Sequence, residues 1–234
     1  MRSLRNSIKE ETTQERYHPL ENHKTIKQKP ETYELNRKRR AKSMSLIEKK
    51  TLYFNKPGEQ NTDDLLKIAR EYVQKENITD IVVASTTGKT GAKAAKTFKG
   101  RNVVVVTHNF GFQEPGKNEL QEEHKKQILA EGAKIFTGIH ALSSAERAVR
   151  KDFGTIQPLE LMANVLRRLG EGTKVCVEIT MMAADAGLIP ADKDVVAVAG
   201  TGRGADTALR IHPANAARFF DMKIREVIAK PADF

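Results

Sequence analysis

From about residue 50 onward, short apolar runs alternate with longer segments in which apolar residues recur every three or four positions. Three runs, at residues 81–84, at residues 103–106 and at Val195–Ala199, are apolar without alternation. Such runs are typical of strands that are buried on both faces of a sheet. Helical spacing is clearest before the first run, at Leu65, Ile68, Ala69, Tyr72 and Val73. The alternation predicts an α/β fold, a three-layer, doubly wound and mostly parallel sheet with helices on both faces.

Weaker patterns complete this outline. Three further helices are predicted, over residues 92–98, 118–130 and 159–169. The apolar run at residues 134–136 predicts another strand. After Val195–Ala199 we expect a glycine-rich loop and then a helix. Residues 224–228 predict a last strand near the C-terminus, at an edge of the sheet.

Residues 173–187 fit two patterns. The apolar residues from Val175 to Met181 alternate as they do in a strand. They also fit one face of a helix that extends to Ala186 and stops at Gly187. The residue pattern by itself leaves strand and helix open.

The charge of the chain is concentrated near its start. The 234 residues carry a formal net charge of +10, with 40 Lys and Arg against 30 Asp and Glu. Residues 1–50 hold 14 of these basic and 7 of these acidic residues, so the remainder is close to neutral. Residues 1–45 contain few large apolar side chains and bury too little surface to offset the entropy of ordering. We therefore expect a disordered basic tail over residues 1–45 and a folded domain over residues 46–234.

Three interpretations of this tail stay open. It can be a solvated extension without function, or a segment upstream of a true start at Met44. It can also be a basic arm around residues 36–40 that binds RNA or another acidic partner. Acidic residues dilute the field of the tail, and Tyr17 and Tyr33 are too few for a base-stacking platform. Nucleic acid is therefore expected as a partner only through the tail.

Composition excludes several classes of protein. No run approaches the ~18 apolar residues of a membrane-spanning helix, so we expect no membrane partner. The chain has one cysteine, Cys176, which excludes a disulfide framework and a thiolate zinc cluster. A lone cysteine is typical of a reducing compartment, so we expect a cytoplasmic protein and no metal site. Cys176 lies in an apolar segment, which favours a core position over a nucleophilic one.

A loop rich in hydroxyl groups follows the first buried strand and opens a helix. Its residues are Ser85, Thr86, Thr87, Gly88, Lys89 and Thr90. Hydroxyls and the first N–H groups of a helix can surround a phosphate, and the helix dipole favours the anion. Gly88 allows close backbone approach, and Lys89 can add a charge-assisted contact. We interpret the loop as a phosphate site; the alternative is a polar loop whose hydroxyls only cap the helix.

This loop does not fit the nucleotide P-loop. That motif needs a glycine five residues before its final glycine, and Val83 occupies the position. The Ser-x-Thr-Gly-x-Thr pattern instead resembles the phosphate loop of flavodoxins, which holds the phosphate of flavin mononucleotide (FMN). Flavodoxins also place an aromatic ring, often Trp, against the flavin. This chain has no Trp, so Phe110 or Phe112 would have to take that role.

A second glycine-rich loop follows Val195–Ala199. Its residues are Gly200, Thr201, Gly202, Arg203 and Gly204, followed by Ala205 and Asp206. The Gly-x-Gly-x-x-Ala spacing matches a dinucleotide fingerprint, but too little chain follows to complete the βαβ unit that the fingerprint begins. We interpret it as a second anion loop, with Arg203 facing the first loop across the carboxyl edge of the sheet. The alternative is a flexible glycine turn with a solvated arginine.

Three residues after the second buried strand are expected to line the middle of the same edge: His108, Asn109 and Phe110. His108 can act as a general base or as a neutral hydrogen-bonding group. His140, which follows the strand at residues 134–136, has the same ambiguity. No catalytic residue is predicted beyond the candidate His108.

Residues 81–109, IVVASTTGKTGAKAAKTFKGRNVVVVTHN, resemble the C-terminal α/β domain of pyruvate kinases. In that domain a strand, a Thr/Ser-Gly loop, a helix and a strand ending in Val-Thr follow in this order. The segments DVVAVAG at residues 194–200 and TALR at residues 207–210 resemble its last section. The resemblance covers roughly residues 51–230. It is closest to stand-alone archaeal and bacterial proteins described as pyruvate kinase alpha/beta domain-like, most of which start near the position of Met44.

The resemblance implies a helix at residues 173–187 and a sugar-bisphosphate effector held by the two loops. Pyruvate kinase catalysis takes place in a TIM barrel of ~250 residues, which no segment of this chain can supply. We therefore expect no phosphoryl transfer from phosphoenolpyruvate. These domains associate through an edge strand, which by analogy makes residues 224–228 a contact of a possible homo-oligomer.

The predicted function is binding of a small phosphorylated ligand at the carboxyl edge of the sheet. The ligand would be a sugar phosphate, a sugar bisphosphate or FMN. One alternative is an enzyme that acts on such a ligand with His108 as acid or base. The other is a module that binds RNA or a protein partner through the basic tail.

Overall fold

A single mixed sheet lies at the centre of the described residues. The computed structural model describes residues 46–143 and 145–234, so the predicted tail over residues 1–45 lies outside the described residues. The chain from Lys49 to Phe234 forms one structural unit. Its strands are β1 (Leu52–Phe54), β2 (Asp80–Ala84), β3 (Asn102–Thr107), β4 (Lys134–Thr137), β5 (Val195–Ala199), β6 (Thr207–His212) and β7 (Lys223–Pro231). They lie in the order β1-β7-β6-β5-β2-β3-β4.

Helices connect most of these strands. They are α1 (Thr62–Lys75), α2 (Lys89–Thr97), α3 (Glu122–Ala130), α4 (Glu146–Phe153), α5 (Pro158–Leu166) and α6 (Glu171–Asp185). Short 3₁₀ turns lie at Glu59–Asn61, Arg167–Leu169 and Ala216–Asp221. In the part of the chain that the structure describes, no helix combines the length and the apolar character needed to cross a membrane.

The central strands are buried on both faces, which is why they form continuous apolar runs in the sequence. Val83 and Val82 are both fully buried, yet they belong to different cores on opposite faces of the sheet. One core includes Leu65 of α1 and Phe98, which directly follows α2. The other includes Cys176 of α6. The predicted three-layer, mostly parallel α/β fold is confirmed.

Residues 173–187 lie largely within a helix, as the resemblance implied. Nearly all residues of α6 from Gly172 to Ala184 are buried. A helix that is buried on several sides has no clear polar face, because it packs on the sheet and on its neighbouring elements. This burial explains why its sequence fitted a strand and a helix equally well.

The prediction of a helix after the second glycine-rich loop is wrong, because a strand follows the loop. The chain reverses direction there and returns as β6, which runs antiparallel to both β5 and β7. The Asp206 amide donates to the Ala199 carbonyl at 3.0 Å and closes the reversal. β6 is the only antiparallel strand among the described residues, since every other neighbouring pair is parallel.

The predicted strand near the C-terminus is present as β7, and its predicted residues, 224–228, lie at an edge of the described sheet. The short β1 pairs with β7 only from Ala229 to Pro231, and this pairing puts β1 outside it. The Thr51 hydroxyl also donates to the Val227 carbonyl. Among the described residues, the part of β7 from Lys223 to Ile228 therefore forms an edge of the sheet, and β1 covers the part from Ala229 to Pro231.

The helix predicted over residues 92–98 begins earlier, at Lys89, and two other predicted helices differ more. α3 begins at Glu122 rather than at residue 118, because Asn118 has another role. Its side-chain amide donates to the His108 carbonyl at 2.7 Å, and its side-chain oxygen accepts the Leu120 amide at 2.8 Å. The helix expected over residues 159–169 is divided into α5 and the turn Arg167–Leu169.

Candidate functional site

A cleft of about 810 Å³ opens at the carboxyl edge of the sheet. It is lined by the loops that follow β2, β3, β4 and β5, together with parts of α4, α5 and α6. β2 and β5 are neighbours, and the chain leaves them in opposite directions: β2 continues through a helix to β3, and β5 continues through the antiparallel reversal to β6. Ligands of doubly wound folds bind where the strand order reverses in this way.

The first loop, residues 85–90, joins β2 to α2 and is held by its own side chains and by α3. The Ser85 hydroxyl accepts the Gly91 amide at 2.9 Å. Gly88 has φ of +89°, and a Cβ there would lie 2.6 Å from the Cβ of His124. The Thr87 carbonyl accepts both the Gln121 amide and the Nδ1–H of His124.

The backbone N–H groups of residues 86–90 point to no protein acceptor. None of these five donors makes a hydrogen bond to another residue of the described chain. They lie at the start of α2, where unsatisfied donors and the helix dipole create a positive potential. Successive free N–H groups of this kind form a concave site for an anion.

The Lys89 side chain, at the start of the same helix, is paired with a carboxylate of the protein. Its Nζ lies 2.6 Å from Glu59 Oε1, and both side chains are more than half exposed. This hydrogen bond raises the pKa of Lys89 and lowers the pKa of Glu59. A bound anion would have to compete with Glu59 for the ammonium group.

His108 links the first loop to the segment before α3. Its Nε2 lies 3.3 Å from the Thr86 hydroxyl, and its Nδ1 lies 2.7 Å from Glu119 Oε2. A carboxylate can only accept, so Nδ1 carries the hydrogen and Nε2 of the neutral ring accepts from Thr86. Glu119 was missed in the sequence, where it lies inside the helix predicted over residues 118–130 and no local pattern sets it apart.

Of the two aromatic candidates, Phe112 lies at the cleft and Phe110 does not, and the predicted Asn109 does not line the cleft either. Phe110 is exposed and does not line the cleft, and the Asn109 side chain donates to the Phe110 carbonyl. The Phe112 ring centroid lies 4.0 Å from that of His108, and the Arg147 guanidinium lies 4.5 Å from the Phe112 centroid.

His140 completes this aromatic cluster. Its ring centroid lies 5.0 Å from Phe112 and 5.1 Å from His108. Burial lowers the pKa of His140 to about 4. Near pH 7 His140 is therefore neutral, and it contributes a polarisable wall rather than a positive charge.

The second loop, residues 200–206, is bound to the protein's own carboxylate. Asp206 is fully buried, and its Oδ2 accepts the amides of Gly58 and Thr201 at 2.9 and 3.0 Å. Its Oδ1 accepts the Thr207 hydroxyl at 2.7 Å. Thr201 does not line the cleft, whereas Gly200, Gly202, Arg203 and Gly204 do.

The cleft carries six basic and five acidic side chains, most of them paired. Lys89, Arg150, Arg167 and Lys174 contact Glu59, Glu160, Glu171 and Glu178, respectively. Arg147 and Arg203 form no salt bridge with a described residue. Glu146 also forms no salt bridge within the described chain and instead accepts the Leu159 amide, so the formal charge of the lining side chains is +1.

A buried ion pair forms part of the wall. Lys174 Nζ lies 2.5 Å from Glu178 Oε2, and each side chain is less than a tenth exposed. Glu178 Oε1 also accepts the Leu142 amide at 2.9 Å. The i,i+4 spacing of the pair could have signalled it, but the strand-like alternation of residues 175–181 concealed that spacing.

The remaining candidates from the sequence are Cys176 and possible metal ligands. Burial raises the pKa of the Cys176 thiol, which donates to the Ala197 carbonyl. Among residues 46–143 and 145–234, no three His, Cys, Asp or Glu side chains lie close enough to hold a metal ion.

The sequence was compared with known families and structures. The family described as pyruvate kinase, alpha/beta domain, matches residues 63–212. One solved pyruvate kinase from Cryptosporidium parvum is 14% identical, with a TM-score of 0.32, over 64% of this chain and 22% of the other. A second, in complex with ADP, is 15% identical with a TM-score of 0.32, over 82% of this chain and 26% of the other. The chain thus spans about a quarter of the length of these pyruvate kinases.

Proposed function

Because the chain belongs to the pyruvate kinase alpha/beta domain family, we propose that it binds a small phosphorylated molecule in the cleft. The five backbone N–H groups of residues 86–90, which have no acceptor among the described residues, carry this proposal. A phosphate oxygen can replace the water that such donors otherwise bind, and the helix dipole adds to the attraction. Thr86, Thr87 and Thr90 also line the cleft and can add hydroxyl donors to the site.

Arg203 and Arg147 are the proposed partners of the far end of the ligand. Both line the cleft, and neither forms a salt bridge with a described carboxylate. Guanidinium groups bind phosphate in a bidentate manner. A sugar phosphate or sugar bisphosphate would place its uncharged ring along the aromatic wall of Phe112 and His140.

FMN fits these residues less well. Its phosphate suits the first loop, but its ring needs an aromatic face on which to stack. The Phe112 ring already contacts His108, His140 and Arg147. A flavin would have to displace one of these groups, so we propose a sugar phosphate in preference to FMN.

The proposal is tested by titrating the full chain with a hexose bisphosphate and with FMN, using isothermal calorimetry. Thr87→Glu places a carboxylate at the phosphate position, and we expect affinity to fall about 100-fold, a loss of roughly 2–3 kcal/mol. Thr97→Glu makes the same change at the other end of α2 and is the matched control. Equal affinities for wild type and Thr87→Glu would place the ligand elsewhere.

A second candidate function is an enzyme that acts on the bound phosphorylated molecule with His108 as acid or base. The hydrogen-bonded chain Thr86–His108–Glu119 favours it. A His108→Asn variant that binds the hexose bisphosphate as wild type does, but no longer converts a candidate substrate, would support the enzyme over a pure binding protein.

A further inference from the structure

Three polar side chains form a continuous hydrogen-bonded chain at the wall of the cleft. Glu119 accepts from His108 Nδ1 at 2.7 Å, and His108 Nε2 accepts from the Thr86 hydroxyl at 3.3 Å. A hydroxyl next to a base, with the base held by a carboxylate, is the arrangement that activates a hydroxyl nucleophile. Binding of a phosphate does not require the carboxylate of Glu119 or its contact with His108.

We propose that Thr86 accepts a phosphoryl group from the bound ligand, with His108 as the general base and Glu119 as the positioning residue. This inference rests on the proposed function, because the same loop must first bind the phosphate. It adds a covalent step, and it differs from the pyruvate kinase reaction because the acceptor is a residue of this chain.

The surroundings of Thr86 suit such a transfer. The N–H groups of residues 86–90, which have no acceptor among the described residues, belong to the same loop and can stabilise the charge on the non-bridging phosphoryl oxygens. A phosphate that accepted hydrogen bonds from these amides would bind at the loop that carries the Thr86 hydroxyl, which lines the cleft. Nε2 of His108 faces that hydroxyl and can take its proton.

The framework around the three residues is fixed by hydrogen bonds. Asn118 holds the His108 carbonyl at 2.7 Å, one residue away from Glu119. Gln121 and His124 both donate to the Thr87 carbonyl, next to Thr86. Residues 118–124 are therefore bound both to the first loop and to His108. These contacts preorganise the relative positions of the Thr86 hydroxyl, the His108 ring and the Glu119 carboxylate.

The step balances with an acyl phosphate or a phosphate monoester as donor. The Thr86 Oγ1–P bond forms while the P–O bond to the donor breaks, and no electrons are exchanged with an oxidant or reductant. The hydroxyl proton moves to His108 Nε2. With an acyl phosphate the leaving group departs as a carboxylate and the proton passes to water; with a monoester His108 returns the proton to the leaving oxygen.

Acetyl phosphate is the probe for this step. We expect the full chain to gain the mass of one phosphoryl group, with acid-stable phosphothreonine located at Thr86 by peptide mass spectrometry. Thr86→Val should abolish the modification, and His108→Asn should slow it by about 10²–10⁴-fold. Thr137→Val removes another hydroxyl at the same edge, one that pairs with Thr107 at 2.6 Å, and should leave the rate unchanged.

Binding of inorganic phosphate, followed by ³¹P line broadening, separates this inference from the proposed function. If phosphate binds and acetyl phosphate does not modify Thr86, the transfer step is overturned and the binding function stands. If phosphate does not bind, both fail. Acid-labile modification of His108 instead would contradict the assignment of Thr86 as acceptor.

The role of Glu119 has its own spectroscopic readout. In wild type we expect the ¹⁵N shifts of the His108 ring to report hydrogen on Nδ1. Glu119→Leu should remove that preference and slow modification of Thr86, and Glu119→Gln should restore part of the rate through its side-chain oxygen. Unchanged ¹⁵N shifts and an unchanged rate in Glu119→Leu would exclude the positioning role.

Discussion

The two glycine-rich loops of the cleft share composition and position but differ in what their backbone amides bind. Both follow neighbouring central strands, β2 and β5, at the carboxyl edge. In the first loop, the amides of residues 86–90 have no acceptor among the described residues. In the second, the Thr201 amide is bound by Asp206, which also accepts the Gly58 amide.

The difference shows that glycine and hydroxyl content alone do not define an anion site. The second loop already binds an anion, and that anion is a buried carboxylate of the same chain. Gly200 and the tip from Gly202 to Gly204 still line the cleft. The amides of residues 202–204 also make no hydrogen bond to a described residue, so the tip keeps free donors beside Arg203. The first loop has no such internal carboxylate, so its donors remain available to a ligand.

The largest expected effect is the loss of stability when Asp206, the carboxylate that binds the second loop, is removed. Asp206→Ala removes the acceptor of two backbone amides and a hydroxyl in a fully buried place. We expect the free energy of unfolding to fall by roughly 3–5 kcal/mol, measured by urea denaturation. Asp206→Asn keeps the shape and one acceptor oxygen and should lose less. A change below about 1 kcal/mol for Asp206→Ala would contradict the view that this carboxylate holds the second loop.

A smaller effect is expected from protonation of His140, on the aromatic wall of the cleft. Burial lowers its pKa from 6.5 to about 4, so the unfolded chain binds more protons between these values. Stability is therefore fully present above pH 6.5 and is lost as the pH falls towards 4, by about 2–3 kcal/mol. His140→Asn should reduce this dependence in urea denaturation measured between pH 7 and 4. An identical pH dependence in the variant would refute the assignment.

Substitutions at two glycines of the second loop distinguish the cost of a steric clash from the cost of backbone strain. A Cβ on Gly204 would lie 2.4 Å from the Glu59 Cα, whereas a Cβ on Gly202 would meet nothing within 4 Å. Both have φ of +73°. We expect Gly204→Ala to cost about 2–3 kcal/mol through strain and overpacking, and Gly202→Ala about 1 kcal/mol through strain alone. Equal losses in thermal or urea unfolding would mean that the contact with Glu59 relaxes freely.

The sequence predicted the central sheet because its strands are buried on both faces. Ile81, Val82 and Val83 are all fully buried, and no polar residue interrupts them. The reversal into β6 was missed because it depends on Asp206, whose partners Gly58 and Thr201 are brought together only by the fold. A glycine-rich loop followed by a mixed polar and apolar segment fits a helix and a strand about equally well.

The same limit applies to the site. Residues 85–90 and His108 could be proposed because each directly follows a recognisable strand. Glu119 could not, because no local pattern marks it, and the i,i+4 spacing of Lys174 and Glu178 was concealed by the strand-like alternation of residues 175–181. Their importance comes from which atoms they meet across the cleft, and that depends on the packing of α3 and α6.

The most direct test of the central claim is an amide NMR titration of the full chain with inorganic phosphate, against chloride at matched ionic strength. We predict saturable shifts of the amides of residues 86–90, because these donors have no acceptor in the described chain. The Thr201 amide, which is bound to Asp206, should not respond. A response centred on Thr201, or none at residues 86–90, would contradict the account.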